Sequence, residues 1–114
     1  MLVKSQRLTK DKDFENIFKN GKSVYSSFFR VNAIENNLTN NRYGIIVSNK
    51  ISKIATERNK IKRQIRYLIQ KNKNKLKIGF DIVVLVSAPA VTIDYKKKSI
   101  ELYYLFNKLQ LVIQ

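Results

Sequence analysis

The sequence predicts an α/β fold of the α+β sandwich kind. A small mixed sheet of about four strands is packed with helices, in the order α-β-β-β-α-β-α. Three observations predict it. Residues 56–70 place apolar side chains at the helical spacing of a segment lying on a core: Ile61, Ile65, Leu68 and Ile69. Two short and almost wholly apolar runs, 43–48 and 80–86, flank that helix and read as strands. A strand, a crossover helix and a second apolar strand within residues 43–87 imply a parallel pair. The general rule for such crossovers is a right-handed path.

The remaining elements follow in order. Residues 1–8 are basic, short and expected to be mobile. Thr9 is placed to cap a first helix running to about Asn20, with Gly21 at the left-handed stop position. Phe14, Ile17 and Phe18 share one side of it, and Asp11, Asp13 and Glu15 favour the positive end of its dipole. That role accounts for the acids without a catalytic carboxylate pair. A minor strand at 23–26 precedes a run from 27 to 35 that alternates with period two. Phe29, Val31 and Ala33 point one way, and Phe28, Arg30, Asn32 and Ile34 the other. Residues 36–42 hold four asparagines and form a turn.

A loop at 49–54 leads from the 43–48 strand to the central helix, whose Lys- and Asn-rich end runs to Lys77 before Gly79 breaks it. Ala88-Pro89-Ala90 turns the chain after the last strand, and Lys96-Lys97-Lys98 opens a final helix. Its Ile100, Leu102, Tyr104, Leu105, Phe106, Leu109 and Val112 surround much of the circumference, so the helix is expected to be well packed. With no internal repeat or linker, residues 1–114 are expected to form a single domain.

Composition narrows the function. Twenty-three Lys and Arg against eight Asp and Glu give a formal charge of +15, an imbalance that opposes folding by self-repulsion unless a partner relieves it. The partners this suits are nucleic acid, an anionic membrane surface or a very acidic protein. Cysteine and histidine are both absent, which removes disulfides, thiolate metal sites and the commonest general base. The first residues lack the apolar run of a secretion signal and no stretch approaches 18 apolar residues, so the expected location is the cytoplasm. A peripheral membrane role fits poorly, because the two apolar strands need a folded core.

The charge is concentrated. On a helix advancing about 100° per residue, Arg58, Asn59, Lys62, Arg63 and Arg66 occupy an arc of roughly 140° beside the apolar stripe. No acid occurs between Arg58 and Lys77. Solvated helices normally alternate Glu and Lys at i,i+4, whereas Arg58–Lys62 and Lys62–Arg66 place like charges there. Arginine also presents a planar fork suited to phosphate. The arc therefore reads as a polyanion-binding face, most simply for nucleic acid.

Val47-Ser48-Asn49-Lys50, followed by Arg58-Asn59-Lys60-Ile61-Lys62-Arg63 and Arg66, resembles the bacterial ribonuclease P protein component family. Its core motif is Arg-Asn-x-Ile-Lys-Arg-x-x-Arg. Asp13-Phe14 with Phe18 and Gly21 is similar to that family's N-terminal helix, and Asp81-Ile82-Val83-Val84 to its later strand. Asn49 departs from the usual lysine, and Ser52 with Ile54-Ala55-Thr56 departs from the usual approach to the helix.

The resemblance implies a left-handed crossover, against the general rule. It implies a protein subunit that accompanies a catalytic RNA in removing the 5′ leader of precursor tRNA, one protein per RNA, with no catalytic residue in the protein. Lys50, Lys53, Arg58, Asn59, Lys62, Arg63 and Arg66 would dock on the RNA subunit. Lys10, Phe14, Phe18, Arg30 and Asn32 would line a cleft for the single-stranded leader, where aromatic faces stack unpaired bases. No cofactor is expected on the protein alone, and Mg2+ in the holoenzyme would be held mainly by RNA. A non-catalytic RNA-binding module of ribosomal or chaperone type is the alternative.

Overall fold

The computed structural model describes residues 4–113, with the side chain of Lys4 left out. Seven principal elements follow in order: α1 (Asp11–Asn20), β1 (Lys22–Tyr25), β2 (Phe29–Glu35), β3 (Arg42–Ile46), α2 (Ala55–Lys71), β4 (Phe80–Val86) and α3 (Tyr95–Lys108). The strands form one mixed sheet in the order β1-β2-β4-β3. The β1–β2 and β2–β4 pairs are antiparallel and β3–β4 is parallel.

Period-two alternation divides the sheet into two faces. Phe29, Val31 and Ala33 of β2, with Ile82, Val84 and Val86 of β4, bury against Ile61, Ile65, Leu68 and Ile69 of α2 and Leu102, Leu105 and Phe106 of α3. On the other face Ile34, Ile46, Val83 and Leu85 meet Leu8, Phe14 and Ile17. The molecule is a three-layer stack, with α2 and α3 on one side of the sheet and α1 on the other.

The hand of the β3-α2-β4 crossover follows from backbone hydrogen bonds. The Ser87 N–H donates to Phe28 O at 2.9 Å and the Ser26 N–H to Phe29 O at 2.8 Å, so even-numbered residues of β2 face β4 and odd-numbered ones face β1. For L-residues, that fixes β1 to the right of an upward β2 seen from the Val31 face. β4 and β3 then lie to the left and run downward, with α2 in front. The crossover is left-handed, as the family resemblance implies and against the general rule.

Local details correct several expectations. Arg7 and Leu8, expected to be mobile, are anchored: Arg7 bridges Tyr43, Leu8 is buried, and its N–H donates to Tyr43 O at 2.9 Å. The first three residues of the expected mobile segment lie outside the described residues. The first helix is capped at Lys10 rather than Thr9, without a side-chain bond, leaving Asp11 and Asp13 to answer the dipole.

Gly21 is extended (φ −81°, ψ 169°), not left-handed. Glycine is needed there because a Cβ would lie 2.5 Å from Ile17 O and 2.8 Å from Ala33 O. Gly79 does take the left-handed region, at φ +94°. The last helix begins at Tyr95 under an Asp94 cap and ends at Lys108. Ile100 and Tyr104 face outward instead of packing, and Val112 lies beyond the helix, bridging Leu76.

The asparagine turn is stapled by its own side chains. Asn41 is buried, donating to Lys77 O at 2.7 Å and accepting from the Phe80 N–H at 2.8 Å. Asn36 donates to Asp81 Oδ1 at 2.9 Å. Buried Asp81 also takes two bonds from Arg42, Nε at 2.8 Å and Nη2 at 2.6 Å, and Arg42 reaches Asp13 of α1 at 3.4 Å. The bond with Asp81 holds the Arg42 guanidinium protonated more firmly than usual, against the opposing effect of burial. Burial likewise raises the Tyr43 phenol.

Candidate nucleic-acid interface

Helix α2 is positioned by its apolar stripe. Ile61, Ile65, Leu68 and Ile69 are almost wholly enclosed, so rotation about the helix axis is fixed and the basic arc must face away from the sheet. Asn59 and Arg63 are exposed, and Arg58, Lys62 and Arg66 are half-buried along their stems. Among the described residues no carboxylate pairs with any of these cations. The ion pairs join Arg42 to Asp13 and Asp81, and Lys97 to Glu101.

The loop before α2 extends the surface. Arg58 Nη1 donates to Ser52 O at 2.8 Å, and Ser52 Oγ accepts from the Ile54 N–H at 3.3 Å. Ser52 thus ties the loop to α2 through its backbone carbonyl and to Ile54 through its hydroxyl. Asn49, Lys50, Lys53 and Arg58 line an open depression of about 420 Å³. The seven residues assigned from sequence to the RNA subunit lie on α2 and the loop leading into it, and among the described residues their six cations have no carboxylate partner.

The second group lies on the other face of the sheet. Phe14 packs against the Leu8, Ile17 and Val83 cluster, while Phe18, one turn on, is 45% exposed. Lys10 is exposed at the start of α1, and exposed Arg30 donates Nε to Ser23 Oγ at 3.0 Å. Asn32 faces the same way but is only 3% exposed, lying against Ser23, whose Oγ donates to its Oδ1 at 3.4 Å. Its side chain is buried between the strands and is not an open contact.

Sequence reasoning missed Tyr25. It stands directly across from Arg30 in the β1–β2 pairing, on the face of α1, and is 75% exposed. Leu85 and Ile46 continue the same row across β4 and β3. The signal was present in the alternation of residues 23–26, but only the pairing register shows which strand position Tyr25 meets.

The comparisons bear on this arrangement. The family described as Ribonuclease P matches residues 2–110 of the chain. The chain belongs to the ribonuclease P protein family. The "Ribonuclease P protein component" of a Synechocystis strain is 34% identical over 112 residues, covering 97% of this chain and 90% of that protein. That of Thermotoga maritima is 44% identical over 83 residues, covering 73% and 70%.

The solved structure of the Staphylococcus aureus RNase P protein superimposes with a TM-score of 0.88 at 32% identity, covering 96% of this chain and all of the other. The T. maritima RNase P protein gives 0.82 at 35% identity, covering 90% and 96%. The mixed four-stranded sheet, element order and crossover described above match these ribonuclease P proteins. Among the described residues no helix is long and apolar enough to cross a membrane.

Proposed function

We propose that this chain is the protein subunit of a cytoplasmic ribonuclease P ribonucleoprotein that removes the 5′ leader of precursor tRNA. Lys50, Lys53, Arg58, Asn59, Lys62, Arg63 and Arg66 bind phosphates of the catalytic RNA subunit, one protein per RNA. Lys10, Phe14, Phe18 and Arg30, with Asn32 behind them, take the single-stranded leader on the opposite face. The observation that carries this reading is the α2 arc, whose cations lack carboxylate partners among the described residues although the chain holds eight acids.

The chain's part in the reaction is positional. Cations on α2 relieve phosphate repulsion within the folded RNA and so lower the divalent-ion concentration its catalysis requires. Aromatic and basic groups beside α1 hold the leader without reading its sequence, at about 1–3 kcal/mol per stacked base. Mg2+ in the holoenzyme is held chiefly by RNA. Among the described residues no group of three or more His, Cys, Asp or Glu side chains is placed to hold a metal ion.

The test is cleavage of precursor tRNA by a cognate RNA subunit, with and without the protein, across a magnesium titration. The expected result is leader removal at low magnesium only when both are present, and none by the protein alone. No protein-dependent gain at low magnesium overturns the proposal. Co-purification of ribosomal RNA without any effect on tRNA ends would replace it with a ribosomal or chaperone-type module.

A further inference from the structure

A second stripe runs along α2 beside the arc. Lys60, Arg63, Gln64 and Tyr67 follow one another at i, i+3, i+4 and i+7, on the flank that turns toward α3. With Tyr95 from the first turn of α3, they line an open groove of about 290 Å³ containing no acidic side chain. The Tyr67 and Tyr95 rings meet at 6.0 Å between centroids and 53° between planes, forming an aromatic corner. Tyr95 is half-buried and packs on the core, whereas Tyr67 is 59% exposed, so one ring is anchored and the other offers a bare face.

A wider groove of about 740 Å³ continues from it between α2 and residues 91–95. It shares Lys60, Arg63, Gln64 and Tyr95, is backed by Lys98, and meets its acids, Glu57 and Asp94, there and not at the tyrosines.

We infer that this corner is a stacking subsite for one unpaired nucleotide of the RNA subunit. A base lies on the open face of Tyr67, and Lys60 and Arg63 take the adjoining phosphates. The chemistry is that of single-strand recognition, in which an aromatic platform tolerates any base and flanking cations track the backbone. The RNA subunit is the partner because Arg63 belongs to both surfaces: it closes the basic arc and opens this groove. The leader cleft lies beyond the sheet, beside α1, and is not continuous with Tyr67.

This inference rests on the proposed function, and the experiment separates the two. The chain has no tryptophan, so Tyr67→Trp installs a sole indole reporter at the subsite. Its emission is expected to be quenched as the RNA subunit is titrated in, and unchanged emission at saturating RNA overturns the subsite. Tyr67→Ala should weaken affinity for the RNA subunit by roughly 5- to 150-fold, the range of one lost stacked base. Its salt dependence should match the parent, because no phosphate contact is lost, and Tyr67→Phe should bind as the parent does.

Parental affinity of Tyr67→Ala, alongside weakened Arg58→Ala and Arg66→Ala, overturns the subsite and leaves the proposed function standing. Parental affinity of all three overturns both. A loss confined to leader-bearing tRNA overturns the assignment to the RNA subunit.

Discussion

The triple substitution Arg58→Ala, Arg63→Ala, Arg66→Ala turns the proposed interface into a measurable slope. Lys50, Lys53, Arg58, Lys62, Arg63 and Arg66 are six cations on one continuous surface. If each takes one phosphate, the logarithm of affinity falls against the logarithm of salt with a slope of about −4 to −5.5. Raising salt from about 0.1 to about 0.4 M should then weaken RNA binding by about 300- to 2,000-fold. Removing three contacts should halve the slope, and the same salt step should cost only about 20- to 40-fold.

Folding should be nearly untouched. The three side chains pair with no carboxylate among the described residues, and the hydrogen bond at stake is that of Arg58 to Ser52 O, so the loss stays within about 1 kcal/mol. Filter binding over a salt series, with urea unfolding of the same preparations, checks both halves. Superimposable slopes for parent and triple variant at equal stability would show the arc to be an ordinary solvated face.

Three further outcomes follow from the packing. Gly44→Ala would bring a methyl to 2.7 Å from Phe14 Cε1 and 2.9 Å from Cζ, so it should cost about 1–3 kcal/mol by overpacking. By displacing Phe14 it should also weaken binding of leader-bearing over leaderless tRNA, which paired affinity measurements check. Arg42→Ala strips two hydrogen bonds from buried Asp81 and should cost about 3 kcal/mol in urea unfolding. Adding Asp81→Asn should recover part of that loss, since the penalty is an uncompensated charge.

Lys98 is buried with its Nζ donating to Ile93 O at 2.6 Å, and desolvation, aided by nearby Lys60 and opposed by Asp94, lowers its pKa. The charged form is therefore disfavoured on folding. That cost is fully present below the folded pKa and fades as pH rises toward the ordinary lysine value of 10.5. The stability of Lys98→Met relative to the parent should accordingly decline between neutral pH and pH 10, as followed by denaturant unfolding. A gap independent of pH would refute the assignment.

What was legible in the sequence was what repeats. The last strand spans Phe80–Val86 as read, because a run buried on both faces is apolar at every position except Asp81, which Arg42 answers. The central helix and its arc were equally plain, since one stripe of four aliphatic residues orients the whole element. Features depending on a non-local neighbour were hidden. Gly21 looked like a left-handed helix stop, but its reason is the close approach of two carbonyls, Ile17 O and, twelve residues away, Ala33 O. Ile100 and Tyr104 looked like core because one helix does not reveal how much of its circumference the neighbours cover. Asn32 looked like a contact until Ser23 was seen beside it, and Tyr25 passed unnoticed because strand register is set across the sheet.

The hand of the β3-α2-β4 connection has a consequence for how the chain apportions its two sides. A right-handed path between the same pair of strands would carry α2 behind the sheet, onto the ground held by α1, where it would roof over Gly44, Ile46 and Leu85. The unusual hand sends the cationic helix to the far side instead and leaves that floor to Leu8 and α1, with Phe14 lying over Gly44. One sheet thus becomes a partition between the cations of α2 and the exposed Phe18, Tyr25 and Arg30, and under the proposed function each side is left to a different polynucleotide.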